Sequence, residues 1–253
     1  MISHPTPSTT GLPEVIDHAF PASRVDTRRA LAGSALVRRF APRQVILRQG
    51  DESSVALVLD GYAAARRMTA DGRQLIVRIV TRGGLVPLLP LAARPASADI
   101  IALTPSPVAV WRADEMRSLA TADPGLAVDL LDKVLLSFED VVKRLDGLLH
   151  QDAVRRVARV LAVHAELFFG EPPVLPRSNL PILVGTSREM TGRVLRVLES
   201  RQILVRVGRD RLRLLDAAGL AATADAGADA ARSIGRVARP ASTAGGGGSA
   251  PNG

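Results

Sequence analysis

The sequence contains no cysteine. Disulfides, thiolate zinc sites, cysteine-ligated iron–sulfur clusters and cysteine nucleophiles are therefore all excluded. Aromatic residues make up only 3% of the chain, so strand cores must rest on Val, Ile and Leu. Lysine is nearly missing: of 33 basic residues only Lys133 and Lys143 are lysines, and the rest are arginines. No segment approaches the roughly 20 apolar residues that a spanning helix needs. The most apolar short stretch, Leu85–Ala93, is interrupted by Pro87 and Pro90. No apolar run follows a basic start near Met1. These absences lead to the expectation of a cytoplasmic protein without a membrane partner.

Against those absences stand 253 residues that are 47% hydrophobic, enough for one or two domains with a real core. The formal charge of +8 points to polyanionic partners. Both ends read as disordered, residues 1–22 from their Ser/Thr/Pro-rich start and residues 221–253 from their Ala/Gly composition. Residues 23–122 read as a β domain. Val45–Leu47, Val55–Leu59, Tyr62–Met68, Gln74–Val80, Ile100–Leu103 and Val108–Trp111 are short strands separated by turn residues, and Ala70-Asp71-Gly72 closes a hairpin. Many short strands at this spacing suggest a β-roll or barrel.

The texture changes at Asp123-Pro124, a helix start. Over residues 123–151 the apolar positions Leu131, Leu135, Phe138, Val142, Leu145 and Leu149 are spaced 4, 3, 4, 3, 4. That is a heptad seam, expected to pair with a second copy in a parallel homodimer. Asp152 is placed to cap a new helix and opens a C-terminal domain over residues 152–220.

That domain carries the sharpest signal. Asn179–Val184 is a short brace helix, Gly185 breaks it, and Thr186-Ser187 opens a second helix from Arg188 to Glu199. Met190, Val194, Val197 and Leu198 form its apolar stripe. Its polar face shows Arg188, Glu189, Arg193 and Arg196. Such a helix–turn–helix sets the start of its second helix against base edges in the DNA major groove. Arginine can bond guanine O6 and N7 together, and glutamate can accept from cytosine N4. Arg188, Glu189 and Arg193 are therefore the expected base readers. Thr186-x-x-Glu189 also fits a capping box, a competing use for Glu189. Ile203–Val207 and Arg211–Leu214 flank Gly208-Arg209-Asp210, a hairpin wing. Arg177 to Arg213 holds nine arginines against Glu189, Glu199 and Asp210, a net +6. Thr186, Ser187, Arg196, Arg206, Arg209 and Arg211 are the expected phosphate contacts.

These residues resemble the CRP/FNR family of bacterial transcription regulators. The likeness runs from about Phe40 to Asp216. It rests on Leu183–Glu199 as a recognition-helix signature, and on Ile46–Asp51, Val58–Gly61, Asp71–Arg73 and Gly83 in the β part. The resemblance implies an α+β fold: an N-terminal cyclic-nucleotide-binding-type β-roll of the jelly-roll kind, a dimerisation helix and a winged helix–turn–helix. It implies double-stranded DNA with palindromic GTGA-type half-sites as the partner. RNA polymerase would be a further partner of an activator.

Relatives that bind cyclic nucleotides use a Gly-Glu pair and an Arg-Ser or Arg-Thr pair. Here those positions read Pro87-Leu88 and Ala96-Ser97, and no Asp or Glu occurs from Gly72 to Ala98. Arg94 is near but out of register. Val141 and Val142 stand where polar residues would meet the base. A phosphate buried without a charged partner is unfavourable. Pro87, Leu88, Arg94 and Ser97 thus mark a degenerate effector pocket, and regulation independent of cyclic nucleotides is expected. The alternative is gating by an unidentified small effector in the β-roll. No cofactor, metal or catalytic residue is expected. The four histidines are His4, His18, His150 and His164, and none lies in Phe40–Trp111 to ligate haem or a cupin-type metal. A protein that coats DNA without sequence preference would need the charge but not the mixed-sign reading face.

Overall fold

A computed structural model describes residues 11–68, 72 and 74–225. Two four-stranded antiparallel sheets face each other. The first has the order β1 (Leu36–Phe40), β8 (Ser106–Arg112), β3 (Ser54–Val58) and β6 (Leu85–Val86). The second has the order β2 (Val45–Leu47), β7 (Asp99–Ala102), β4 (Ala63–Met68) and β5 (Gln74–Val80). The β4–β5 hairpin pairs from Ala63↔Val80 to Met68↔Gln74. Of its expected turn, Ala70 and Asp71 lie outside the described residues.

Alternation along the strands explains the layers. In β3, Ala56 and Val58 point between the sheets and meet Ile46, Val86, Ile100 and Val108. Val55 and Leu57 point the other way, into a second cluster with Leu12, Ile16, Phe20, Leu31 and Trp111. The strand is apolar on both faces because both faces are covered. Helices α1 (Leu12–Ala19), α2 (Val25–Ser34), α3 (Ala113–Ala122) and the start of α4 (Pro124–His150) supply the outer cover. Trp111 Nε1 donates to Leu31 O at 2.9 Å, so the one indole is buried with its donor satisfied. Gly61, at φ +76°, turns the chain beside Thr104 and Pro105 where a Cβ would collide with both.

The N-terminal helices correct the expectation of disorder for residues 11–22, while residues 1–10 of that segment lie outside the described residues. Leu12, Val15, Ile16, Ala19 and Phe20 are buried, spaced as one helical stripe, and pack on the first sheet. Their attachment to α4 is polar. Asp129 accepts from Ala22 N at 3.0 Å and Ser23 N at 2.9 Å. Asp123 caps α4 through Gly125 N at 3.0 Å and accepts from Arg24 N at 2.8 Å. A hydrogen bond from Thr27, then those backbone donors, holds the Asp123 carboxyl below the ordinary carboxylate range. Gly125 is required there, because a Cβ would overlap the Ala22 carbonyl.

After α4 come α5 (Ala153–Val163), α6 (Ala165–Phe169), α7 (Leu180–Val184), α8 (Arg188–Ser200), the hairpin β9 (Leu204–Val207) and β10 (Arg211–Leu214), and α9 (Ala217–Asp225). Asp152 caps α5 through Arg155 N at 2.9 Å. Val154, Val157, Ala158 and Leu161 are buried with Leu180, Val194, Leu198 and Leu212 in one core. α9 corrects the C-terminal expectation as well: Leu220 and Ala224 join that core, so order runs to Asp225 rather than stopping at 220. The rest of the expected tail lies outside the described residues. The same core reaches Ala64 and Ile76 on the outer face of the second sheet. The C-terminal unit thus covers that sheet as the helices cover the first. No helix among the described residues is long and apolar enough to cross a membrane.

Candidate nucleic-acid interface

α7 and α8 form a tight helical pair joined by a glycine. Gly185 takes φ +72°, and its N–H returns to Pro181 O at 2.9 Å. This left-handed stop is what glycine allows at low cost. Pro181 sits in the first turn of α7, where its missing N–H breaks no helical bond. Ser187 caps α8 by accepting from Met190 N at 3.1 Å. This corrects the capping-box expectation: Thr186 is not the cap, and Glu189 pairs instead with Arg193 one turn on.

The buried stripe of α8 is Thr191, Val194, Leu195 and Leu198. Met190, expected in that stripe, is exposed. Thr191 takes a place in the stripe, its Oγ1 donating to Ser187 O at 3.0 Å. Arg188, Glu189, Arg193 and Arg196 are all exposed on the opposite face. An exposed pair such as Glu189–Arg193 contributes at most about 1 kcal/mol, so either member can exchange its partner. A Cβ on Gly192 would meet nothing within 4 Å, so packing on the brace helix does not require glycine there.

The wing is held by two arginines. Arg177 donates from its backbone N to Asp210 O at 2.8 Å and from Nε to Arg209 O at 2.6 Å. Arg206, expected on phosphate, is bonded to Glu199 at 2.6 Å, and Glu199 also accepts from Arg206 N at 2.8 Å. The Arg206 side chain, above all, holds the Glu199 carboxyl below its ordinary range. Arg206 therefore ties the wing to α8. Arg209 and Arg211 remain exposed at and beside the wing tip, with Arg211 4.0 Å from Glu171. Sequence reasoning tallied Arg177 and Glu199 only as charges, since spacing gives no sign of either contact.

The six seam residues lie along α4 and are exposed, from 45% for Val142 to 68% for Leu149. α4 binds the rest of its own chain through other positions, Leu126 in the helix-covered cluster and Asp129 on the backbone of Ala22 and Ser23 among them.

In the β-roll, Pro87 is buried and Leu88 is half-buried against the helix-covered cluster. Arg94 and Ser97 are exposed. Ala96 is buried, its N–H on Asp51 O and its carbonyl under Gly50 N, both at 2.8 Å. These residues do not fit a cyclic nucleotide: they offer neither a carboxylate for a ribose hydroxyl nor an inward guanidinium for a phosphate. Among the described residues no cluster of three His, Asp or Glu could hold a metal ion.

Residues 37–123 match the cyclic nucleotide-binding domain family. No curated protein matches the chain. Its fold, an N-terminal domain of that type followed by a long helix and C-terminal helices, is the fold of CRP/FNR-family transcriptional regulators. One such structure, a CRP/FNR-family regulator of Thermus thermophilus, is 24% identical with a TM-score of 0.65 and covers 76% of this chain and 99% of its own. The c-di-GMP-responsive global regulator CLP of Xanthomonas campestris is 21% identical with a TM-score of 0.64, over 76% of this chain and 99% of its own. FixK2 of Bradyrhizobium japonicum is 19% identical with a TM-score of 0.63, over 77% and 99%.

Proposed function

We propose that this chain is a sequence-specific DNA-binding transcription regulator of the CRP/FNR type. It acts as a homodimer through the α4 seam and without cyclic-nucleotide control. The observation that carries the reading is the exposed face of α8, with Arg188, Glu189 and Arg193 at its first turns and Arg209 and Arg211 on the wing beside it. A helix start presents free N–H groups and a positive dipole end to phosphate, so backbone and side chains favour the same partner. Mixed signs on the reading face argue for base discrimination over a purely electrostatic coat. Palindromic GTGA-type half-sites are the proposed target, with Arg188 and Arg193 on guanines and Glu189 on cytosine. Residues 23–122, 123–151 and 152–220 then serve as β-roll, dimerisation helix and DNA-binding domain.

Two variants test it. Arg193→Ala is expected to lose about 1–3 kcal/mol of discrimination between a selected site and random DNA. Arg209→Ala should weaken both DNAs alike and reduce the salt slope by about one unit. Equal loss on both DNAs for Arg193→Ala would remove it as a reader.

Cyclic nucleotides should have no effect. A ligand shifts a switch only by binding one state better than the other. Without a carboxylate or an inward arginine, the β-roll offers a cyclic phosphate no such difference. Dialysed protein is expected to bind its site fully, and calorimetry with cAMP and cGMP to show no saturable heat. Micromolar binding that raises DNA affinity would overturn this part.

A further inference from the structure

A cavity of about 280 Å³ lies where β5, the C-terminal half of α4, α5 and the end of α7 meet. It belongs neither to the α8 face nor to the degenerate β-roll pocket. Five cations line it, Arg78, Lys143, Arg144, Arg156 and Arg159, against one acid, Asp140. Two of the five have carboxylate partners: Arg78 is 3.6 Å from Asp140, and Lys143 is 2.6 Å from Glu139. Among the described residues Arg144 is bonded only to backbone carbonyls, those of Ile76, Val77 and Leu183. Arg156 donates from Nη1 to Gln151 O at 2.6 Å.

Two polar atoms in this lining have no partner. The Nε of Arg156 and the Oε1 of Gln151 are both buried and unbonded, and Gln151 as a residue is only 7% exposed. Buried polar atoms are normally satisfied, and leaving one unmade costs about 1–3 kcal/mol. A free guanidinium N–H on Arg156, with Arg144 and Arg159 in the same lining and also without carboxylates, calls for an acceptor that carries negative charge. The Gln151 amide can offer either its oxygen or, turned over, its NH₂ to the same guest. His164, also in the lining, is held below the ordinary imidazole range by burial and then by the Arg144 charge, so it adds no anion and no stable cation. The lining also has apolar side chains, Ile79, Val160 and Leu183 among them.

We propose that this cavity binds a small organic phosphate with an apolar body. Arg156 and Arg159 hold the charged head, and Ile79, Val160 and Leu183 cover the body. Such a guest touches β5, α4 and α5 together and fastens the C-terminal unit to the second sheet. A bidentate guanidinium contact to phosphate supplies both charge and direction.

The test uses the full chain and three probes: phenyl phosphate, inorganic phosphate and benzyl alcohol. Calorimetry should show phenyl phosphate binding once per chain, inorganic phosphate more weakly, and benzyl alcohol with no saturable heat. Thermal unfolding should rise with phenyl phosphate. Arg156→Gln is expected to weaken binding about tenfold or more. Arg159 is exposed, so Arg159→Ala keeps the fold and provides a second reading if the first variant does not fold. The exposed Arg29, on α2 far from the cavity, serves as a control, and Arg29→Ala should bind as the wild type does. No saturable binding of phenyl phosphate, or wild-type affinity in every folded cavity variant, overturns the proposal; the cavity then holds water only.

Discussion

Placing glutamate at both Leu135 and Val142 should leave a folded monomer whose affinity for a palindromic site has fallen by about 10²–10⁴-fold. The fall is expected because two linked half-sites gain that much from effective concentration alone. The fold should survive, because both side chains are already exposed on a single chain, at 54% and 45%. α4 meets the helix-covered cluster through Leu126 and the α1–α2 connection through Asp129, which the substitutions do not touch. In a paired seam the new carboxylates would meet their own copies across the twofold, four charges stripped of water without cations. Each such unpaired buried charge costs several kcal/mol, more than a short helical seam can offset. Sedimentation should show wild type as a dimer at micromolar concentration and the double variant as a monomer with unchanged circular dichroism. A monomeric wild type would sink the seam, and so would a variant that still dimerises.

How far the sequence reached can be judged from particular elements. The β4–β5 hairpin was legible because its alternation and turn residues are local. The long helix α4 was legible because the apolar positions from Leu131 to Leu149 repeat without interruption. α1 is hidden by the composition around it: Ser, Thr and Pro dominate the first residues, yet Leu12, Val15, Ile16, Ala19 and Phe20 trace a helical stripe. α3 was missed because Ala113–Ala122 buries only Ala113 and Met116, too weak a period to stand out. On the candidate interface, the exposed face of α8 was readable from spacing. Its rotation was not, since it depends on which side chains meet the α5 and α7 core. Arg206 was assigned to phosphate because charge is visible in a sequence and partners are not; Glu199, seven residues earlier, takes it. The hinge cavity was invisible for the same reason, as its cations come from β5, α4 and α5.

Arg144→Met should loosen the attachment of the C-terminal unit to the β-roll, with a stability loss on the order of 3 kcal/mol. From α4 its guanidinium donates to Ile76 O at 2.7 Å and Val77 O at 3.1 Å on β5, and to Leu183 O at 2.8 Å on α7. One planar group thus spans three elements, with donors fixed in directions a flexible ammonium cannot reproduce. Burial lowers its pKa, yet an arginine keeps its proton at any ordinary pH, so the contact is a half-buried charge held by carbonyl dipoles. Methionine keeps the apolar stem and removes every donor. The three carbonyls then lose a charged partner, and each such bond is worth about 1.5–3 kcal/mol, less than additively because one group makes them all. The two bodies also share apolar packing from Ala64 and Ile76 to the α5–α8 core, so each should stay folded. The expected signature is a calorimetric trace that splits into two transitions, with faster protease cleavage near Gln151-Asp152, where α4 ends and α5 begins. Arg144→Lys should fall between the two, since one ammonium cannot reach all three oxygens. If Arg144→Met instead melts in a single transition at the wild-type temperature, with cleavage unchanged, the attachment rests on the apolar contact and not on this arginine.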